Sequence, residues 1–115
     1  MAVFAPGNST TWASEEALTN PSDTDVAADT GELAGGIYDI RVLVGGTAAA
    51  KWIINRRNAA NGADVGDQPT VYTAANTSQF AQFTMTLEAS ERVRVTVSGN
   101  VTGVLSALIT AERLV

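Results

Sequence analysis

The residues of this chain that could carry out chemistry are its carboxylates, one lysine and two tyrosines. Its 115 residues include no cysteine and no histidine. The chain therefore lacks a thiolate nucleophile, an imidazole base and the ligands of a cysteine-based zinc site. The lysine is Lys51, and the tyrosines are Tyr38 and Tyr72. We expect a protein that is not an enzyme, with no catalytic residue, no cofactor and no metal site.

Two groups of acidic residues have a simpler interpretation than a reactive site. Asp23, Asp25 and Asp29 could suit a metal or phosphoryl-transfer pair, but no lysine or arginine lies within ten residues of them. Glu88 and Glu91 could form a glycosidase-type carboxylate pair. The sequence Glu-Ala-Ser-Glu that joins them is more typical of a polar turn between two strands.

A third group combines asparagine and aspartate in the sequence Asn-Gly-Ala-Asp-Val-Gly-Asp. Its members are Asn58, Asn61, Asp64 and Asp67. Several oxygen ligands close together are what calcium prefers. The group lacks the alternating acids and the terminal glutamate of an EF-hand loop, so we interpret it as a polar turn.

The charge is divided unevenly along the chain. Residues 1–40 hold seven acids and no base, a net of −7, whereas residues 41–115 have a net of +2, and the whole chain carries −5. This acidic balance argues against binding to nucleic acid, which requires a basic surface. The only basic pair is Arg56-Arg57. It could meet acids of a partner protein or of the N-terminal segment, or it could end a solvated loop.

Residues 1–22 read as an N-terminal arm that precedes a domain of residues 23–115. The arm contains many polar residues and two isolated aromatic residues, Phe4 and Trp12. We expect these to pack on the domain or to insert into a partner. Within the arm, Ser14–Leu18 could form one helical turn with Ser14 as its N-cap. No apolar run reaches the roughly 18 residues that span a bilayer, so we expect no membrane association.

Alternating apolar and polar residues predict strands in the rest of the chain. Residues 37–44, 80–87 and 92–98 place apolar side chains at every second position, and glycine or asparagine follows several such runs. Periodicity does not decide between helix and strand for residues 47–61 and 102–114. Seven or eight short strands favour an all-β, antiparallel sandwich of jelly-roll type, and in that fold both segments become strands.

The last of these segments is apolar on both of its faces. Leu105, Ala107 and Ile109 would lie on one face, while Val104 and Leu108 would lie on the other. A strand with two apolar faces is usually covered on both. We therefore expect either a homo-oligomer or an arm that folds over this face.

Several segments resemble small proteins that decorate or cement the capsids of tailed bacteriophages. The similar stretches are residues 36–44, residues 49–61, residues 83–95, Asn100-Val-Thr-Gly103 and Ala111-Glu-Arg-Leu114. Such proteins are jelly-roll sandwiches, broadly similar to trimers of the tumour-necrosis-factor type. The resemblance covers about residues 25–114 and leaves out the arm.

The resemblance implies a structural protein of the virion. It would be made in the host cytoplasm, assemble as a homotrimer, and bind the major capsid protein on the outer surface of the head. We expect Phe4, Trp12, Arg56 and Arg57 to contribute to partner binding; this assignment comes from their chemistry and not from the family.

An alternative is a carbohydrate-binding or host-recognition sandwich. Trp12, Trp52, Tyr38 or Tyr72 could then stack on a sugar ring.

Overall fold

The computed structural model describes residues 11–58, 62–65 and 69–115, which form eight β-strands and no helix. The alternating segments account for the strands, because β-branched and aromatic residues fit a pleated, half-buried surface. The strands are β1 Thr11–Thr19, β2 Val26–Asp29, β3 Gly36–Gly46, β4 Ala50–Arg57, β5 Thr70–Thr73, β6 Thr77–Leu87, β7 Arg92–Ser98 and β8 Val104–Arg113.

The strands form two antiparallel sheets of four. Sheet A has the order β1-β8-β3-β6, and sheet B has the order β2-β7-β4-β5. The first strand pairs with the last, the second with the seventh, the third with the sixth and the fourth with the fifth. This nested pairing is that of one long hairpin rolled into two layers, and it is the strand order of a jelly roll. The expected sandwich of seven or eight strands is confirmed, with eight strands in two sheets.

The core lies between the two sheets and is built from alternate residues, as the sequence predicts. Tyr38, Ile40, Val42 and Val44 of β3 are buried, and so are Val93, Val95 and Val97 of β7. Trp52 and Ile54 of β4 and Leu105, Ala107, Ile109 and Ala111 of β8 complete the centre. Thr96, on the polar side of β7, is buried as well, and its hydroxyl accepts a hydrogen bond from the side-chain amide of Asn55 at 3.0 Å.

The two ambiguous segments are strands. β4 pairs with both β5 and β7, and β8 pairs with both β1 and β3. A helix in either place would leave backbone N–H and C=O groups of the neighbouring strands without hydrogen-bond partners. Unpaired backbone groups are unfavourable in a buried sheet. Residues 59–61, at the end of the first ambiguous segment, lie outside the described residues.

The helical turn predicted at Ser14–Leu18 is wrong, because Thr11–Thr19 is strand β1 at the edge of sheet A. Its register runs from Thr11 opposite Glu112 to Thr19 opposite Val104. An extended backbone here gains the hydrogen bonds of nine register positions, which outweighs the local capping preference of a serine. Part of the segment predicted as an arm thus belongs to a sheet. The boundary at residue 22 stays a prediction, and residues 1–10 lie outside the described residues.

Candidate functional site

The outer face of sheet A carries a row of three apolar side chains. Leu43 of β3 stands directly opposite Phe80 of β6 on one side and Leu108 of β8 on the other. Leu43 is 44% exposed and Phe80 is 56% exposed, while Leu108 is half-buried. We call these three residues the apolar row. A shallow depression of about 270 Å³ lies over it.

Small or polar residues, with one arginine among them, flank the apolar row in these three strands. On one side, Gly45 pairs with Ser78 and Ser106. On the other side, Arg41 pairs with Gln82 and Thr110. The Arg41 guanidinium lies 2.8 Å from the carboxylate of Asp39, so its charge is balanced within the same face. The face is thus apolar at its centre, and two further acids, Glu15 opposite Leu108 and Glu112 opposite Asp39, hold register positions at its margin. An exposed apolar centre with a polar rim is typical of a surface that another protein covers.

The outer face of sheet B differs in character because arginines dominate it. Arg92 and Arg94 of β7 both contact Oδ2 of Asp29 in β2, at 3.3 and 3.0 Å. Asp29 belongs to the acidic N-terminal part of the chain. Asp29, one of the seven acids of residues 1–40, is therefore paired with two of the bases of residues 41–115.

The Arg56-Arg57 pair, expected to bind a partner, is engaged within the chain. Arg56 lies 2.9 Å from the buried carboxylate of Glu91, and Arg57 lies 2.8 Å from Asp64. Both acids belong to the body and not to the acidic N-terminal segment. The charges that the sequence offered to a partner are therefore balanced by neighbours of their own.

Phe4 and Trp12 remain predictions as binding residues. Phe4 lies outside the described residues. For Trp12 the structure gives the backbone position, opposite Ala111 in the β1–β8 pair.

Two of the four aromatic residues proposed for sugar stacking are excluded from that role. Trp52 and Tyr38 are both fully buried in the core. The indole Nε1 of Trp52 donates to Thr73 Oγ1 at 3.0 Å, and the phenol of Tyr38 donates to the carbonyl of Ala34 at 2.7 Å. Burial raises the pKa of the Tyr38 phenol above its ordinary value of 10.0, and the nearby charge of Arg113 opposes that shift.

Tyr72 is exposed and borders a groove along the open side of the sandwich. Its ring is 66% exposed, and Lys51 Nζ lies 5.8 Å from the ring centroid. A groove of about 440 Å³ separates β5 from β6 here and is lined by Tyr72, Phe80 and Phe83. A second groove of about 510 Å³ continues along β6, past Phe83 and Met85. Phe83 and Met85 face inward but stay half-buried, because β5 is much shorter than β6.

Among the described residues, most of the acids of these clusters lie in turns and loops. Asp23 accepts a hydrogen bond from the backbone of Gly99 at 2.6 Å, and Asp25 accepts one from Ser22 at 2.8 Å. Glu88 and Glu91 lie in the turn between β6 and β7, as predicted. Asn61 and Asp67 lie outside the described residues. Within residues 11–58, 62–65 and 69–115, no three acidic side chains are grouped so as to hold a metal ion.

Two members of the apolar row, Leu43 and Phe80, were not singled out from the sequence. The signal was present, because each is one apolar residue on the polar side of an alternating strand. Leu43 follows Asp39 and Arg41 on that side, and Phe80 precedes Gln82. Only the strand register shows that the two residues form one row with Leu108.

The part of the chain that the structure describes contains no helix long and apolar enough to cross a membrane.

Comparison with known proteins supports the fold class. No family model matches the chain, and no curated protein matches it. Fourteen chains of solved structures do. One is Eiger TNF from S. frugiperda, with a TM-score of 0.47 and 17% identity over 71% of this chain and 61% of that one.

Another structure is the CBM22-1 and GH10 part of xylanase 10B from Clostridium thermocellum, complexed with xylohexaose. Its TM-score is 0.52 at 12% identity, over 90% of this chain and 25% of that one. The chain therefore spans less than two thirds of either neighbour. At this level of identity the likeness shows the β-sandwich fold.

Proposed function

We propose that this chain is a structural virion protein that binds the outer surface of a tailed-phage head as a homotrimer and strengthens the contacts between capsomers. The observation that carries the proposal is the uncovered apolar row at the centre of sheet A. The assignment to a phage rests on the sequence resemblance. The proposed partners are further copies of this chain and the major capsid protein.

The size of the face supports an assembly role. Four strands about 4.8 Å apart and about 30 Å long present roughly 600 Å². A standard interface buries about 800 Å² per partner, so sheet A could supply most of one contact. Because the outer face of sheet B is lined by charged arginines and its described residues form no exposed apolar row, sheet A is the better candidate for the trimer contact.

Light scattering after size exclusion tests self-association. We expect a mass of roughly 36 kDa, three times the 11.9 kDa of one chain. Leu43→Lys should shift the protein to monomer, because it places a charge at the centre of the apolar row. The matched control is Thr70→Lys, which adds the same charge at an exposed position of β5. A wild-type monomer at micromolar concentration would contradict the trimer.

Binding to the head is tested with capsids assembled from the major capsid protein encoded in the same genome, without a decoration protein. We expect the chain to sediment with these capsids and to raise their resistance to heat. Removing residues 1–10 tests whether Phe4 anchors the chain, and it leaves β1 in place. Failure to sediment with the capsid would reject the decoration role and leave the trimer test unaffected.

A second candidate function is carbohydrate binding, favoured by the exposed ring of Tyr72 beside the groove between β5 and β6. The xylanase neighbour was solved with xylohexaose. Calorimetric titration with xylohexaose is the direct test, and Tyr72→Ala should abolish the heat of binding. Tyr38→Phe is the control, since Tyr38 is buried. Absence of any heat with the wild-type chain would reject this sugar as a ligand.

A further inference from the structure

Three arginines line one small pocket on the outer face of sheet B. Arg57 of β4 stands directly opposite Arg92 of β7, and Arg94 follows two residues later on the same face. The pocket encloses about 160 Å³ and is bordered by Ser90 and Asn58 as well as by the arginines. It lies beside the turn between β6 and β7, away from the apolar row of sheet A.

Like charges directly opposite each other in a sheet repel, so the three guanidiniums need negative charges nearby. Two carboxylates contribute. Oδ2 of Asp29 accepts from Arg92 at 3.3 Å and from Arg94 at 3.0 Å, and Oδ1 of Asp64 accepts from Arg57 at 2.8 Å. Three positive charges thus face two paired negative charges.

The arginines keep most of their hydrogen-bonding capacity. A guanidinium carries five N–H donors. Within the described residues, each of these three engages one donor with a carboxylate. The Nε of Arg57 is buried and has no hydrogen-bond partner among those residues. A buried donor without a partner is unfavourable, so the contacts among the described residues leave this guanidinium incompletely satisfied.

We propose that this pocket binds a phosphate or sulfate group. Arginine suits such oxyanions because its planar donors match their oxygens. A tetrahedral oxyanion offers enough oxygens for three guanidiniums, whereas a carboxylate offers two. The pocket of about 160 Å³ is large enough for a small tetrahedral ion, since about 10–15 Å³ by this measure already holds one water molecule. The hydroxyl of Ser90 adds a further donor at the pocket wall.

The negative charge of Glu32 allows anion binding to the pocket to be tested by a substitution that strengthens it. It lines the pocket, is exposed, and its carboxylate makes no hydrogen bond or ion pair with the described residues. A bound oxyanion would be repelled by this negative charge. Glu32→Gln should therefore strengthen binding about threefold, corresponding to a fraction of the energy of an exposed charge pair. Misfolding cannot produce such a gain.

The experiment follows the arginine Nε–H resonances by NMR while sodium phosphate or sodium sulfate is added at constant ionic strength and pH. We expect saturable shifts at Arg57, Arg92 and Arg94, and no saturable shift at Arg41 of sheet A. Sodium chloride is the matched salt. Glycerol phosphate forms a second arm: tighter binding than inorganic phosphate would indicate a phosphate group on a larger molecule, and equal or weaker binding would indicate the free ion.

Arg94→Gln should weaken phosphate binding at least tenfold, and Arg41→Gln should leave it unchanged. Thermal unfolding checks that each variant is folded, and Glu32→Gln serves if Arg94→Gln is not. Equal responses to chloride and phosphate, or unchanged binding in a folded Arg94→Gln, would overturn the proposal. Because the pocket lies on sheet B, this result is independent of the trimer and capsid tests.

Discussion

Glu91 is 3% exposed, yet it carries a carboxylate at the end of the core. Its Oε1 accepts hydrogen bonds from Nε of Arg56 at 2.9 Å and from the backbone of Glu88 at 2.7 Å. Arg56 stands opposite Val93, so its guanidinium closes the space between the sheets. A buried carboxylate is tolerated here because a cation and a backbone donor compensate for its lost hydration.

Replacing Arg56 by glutamine should lower the free energy of unfolding by about 3 kcal/mol, since it leaves a buried carboxylate without its cation. The adjacent Arg57→Gln is the matched control. Its pair with Asp64 is more exposed, and the change should be below about 1 kcal/mol. Urea unfolding of both variants measures the difference. Equal losses would mean that burial of Glu91 does not govern the effect.

Tyr38 makes the stability sensitive to alkaline pH. Its folded-state pKa is raised above 10.0 by burial. Above about pH 10 the unfolded chain therefore loses this proton while the folded chain keeps it. The unfolded state then binds fewer protons, and the free energy of unfolding falls as pH rises from the unfolded to the folded pKa.

The Tyr38→Phe variant should lose about 1 kcal/mol at neutral pH, because the hydrogen bond to Ala34 is gone. It should also show a smaller further loss above pH 10 than the wild type. Tyr72→Phe is the matched control, since it removes the same hydroxyl from an exposed residue. Urea unfolding across this pH range gives both slopes, and a Tyr38→Phe slope as steep as the wild type would contradict the assignment.

At the scale of elements, alternation in the sequence was enough to place strands but not to place all of them. Side chains of β3 and β7 repeat every second residue, which is a local property. β1 was not predicted as a strand, because its sequence has no such alternation and its partner β8 lies at the other end of the chain. The apolar row was only partly predictable for the same reason: its three residues come from strands whose register local sequence does not determine.

Gly45 is required where β3 passes between β6 and β8. A Cβ added there would lie 3.0 Å from Ser78 Cα and would also meet the carbonyl oxygen of Thr77. Both are backbone atoms of the paired strand, so neither can move aside without disturbing the sheet. The close approach of β3 and β6 depends on the absence of a side chain.

Gly45→Ala should therefore lower the free energy of unfolding by about 2 kcal/mol, as overpacking does in a closely packed site. Ser78→Ala removes the facing hydroxyl at an exposed position and should change stability by less than about 0.5 kcal/mol. Thermal unfolding distinguishes the two. If Gly45→Ala melts like the wild type, the strands are not as closely packed as the contact requires.

At the scale of the whole molecule, the nested pairing places β1 at the edge of sheet A, beside β8. β8 lies between β1 and β3, so it has partners on both sides. Without β1, β8 would become an edge with unpaired backbone groups over its length, and such edges pair with other chains. Asn20 then fixes the exit from β1, since its side chain accepts from Gly103 at 2.9 Å and its backbone donates to the same residue at 2.7 Å.

Deleting residues 1–19 should thus destabilise the sandwich, because it removes strand β1 together with Leu18, which packs against the core. The expected loss is roughly 4 kcal/mol, because several backbone hydrogen bonds worth about 1 kcal/mol each are broken. Deleting residues 1–10 keeps β1 and should retain the wild-type melting temperature. Calorimetry with light scattering measures unfolding and self-association together. If the longer deletion melts like the shorter one and stays dispersed, the pairing of β1 with β8 contributes nothing to stability, and the fold is held by the remaining seven strands.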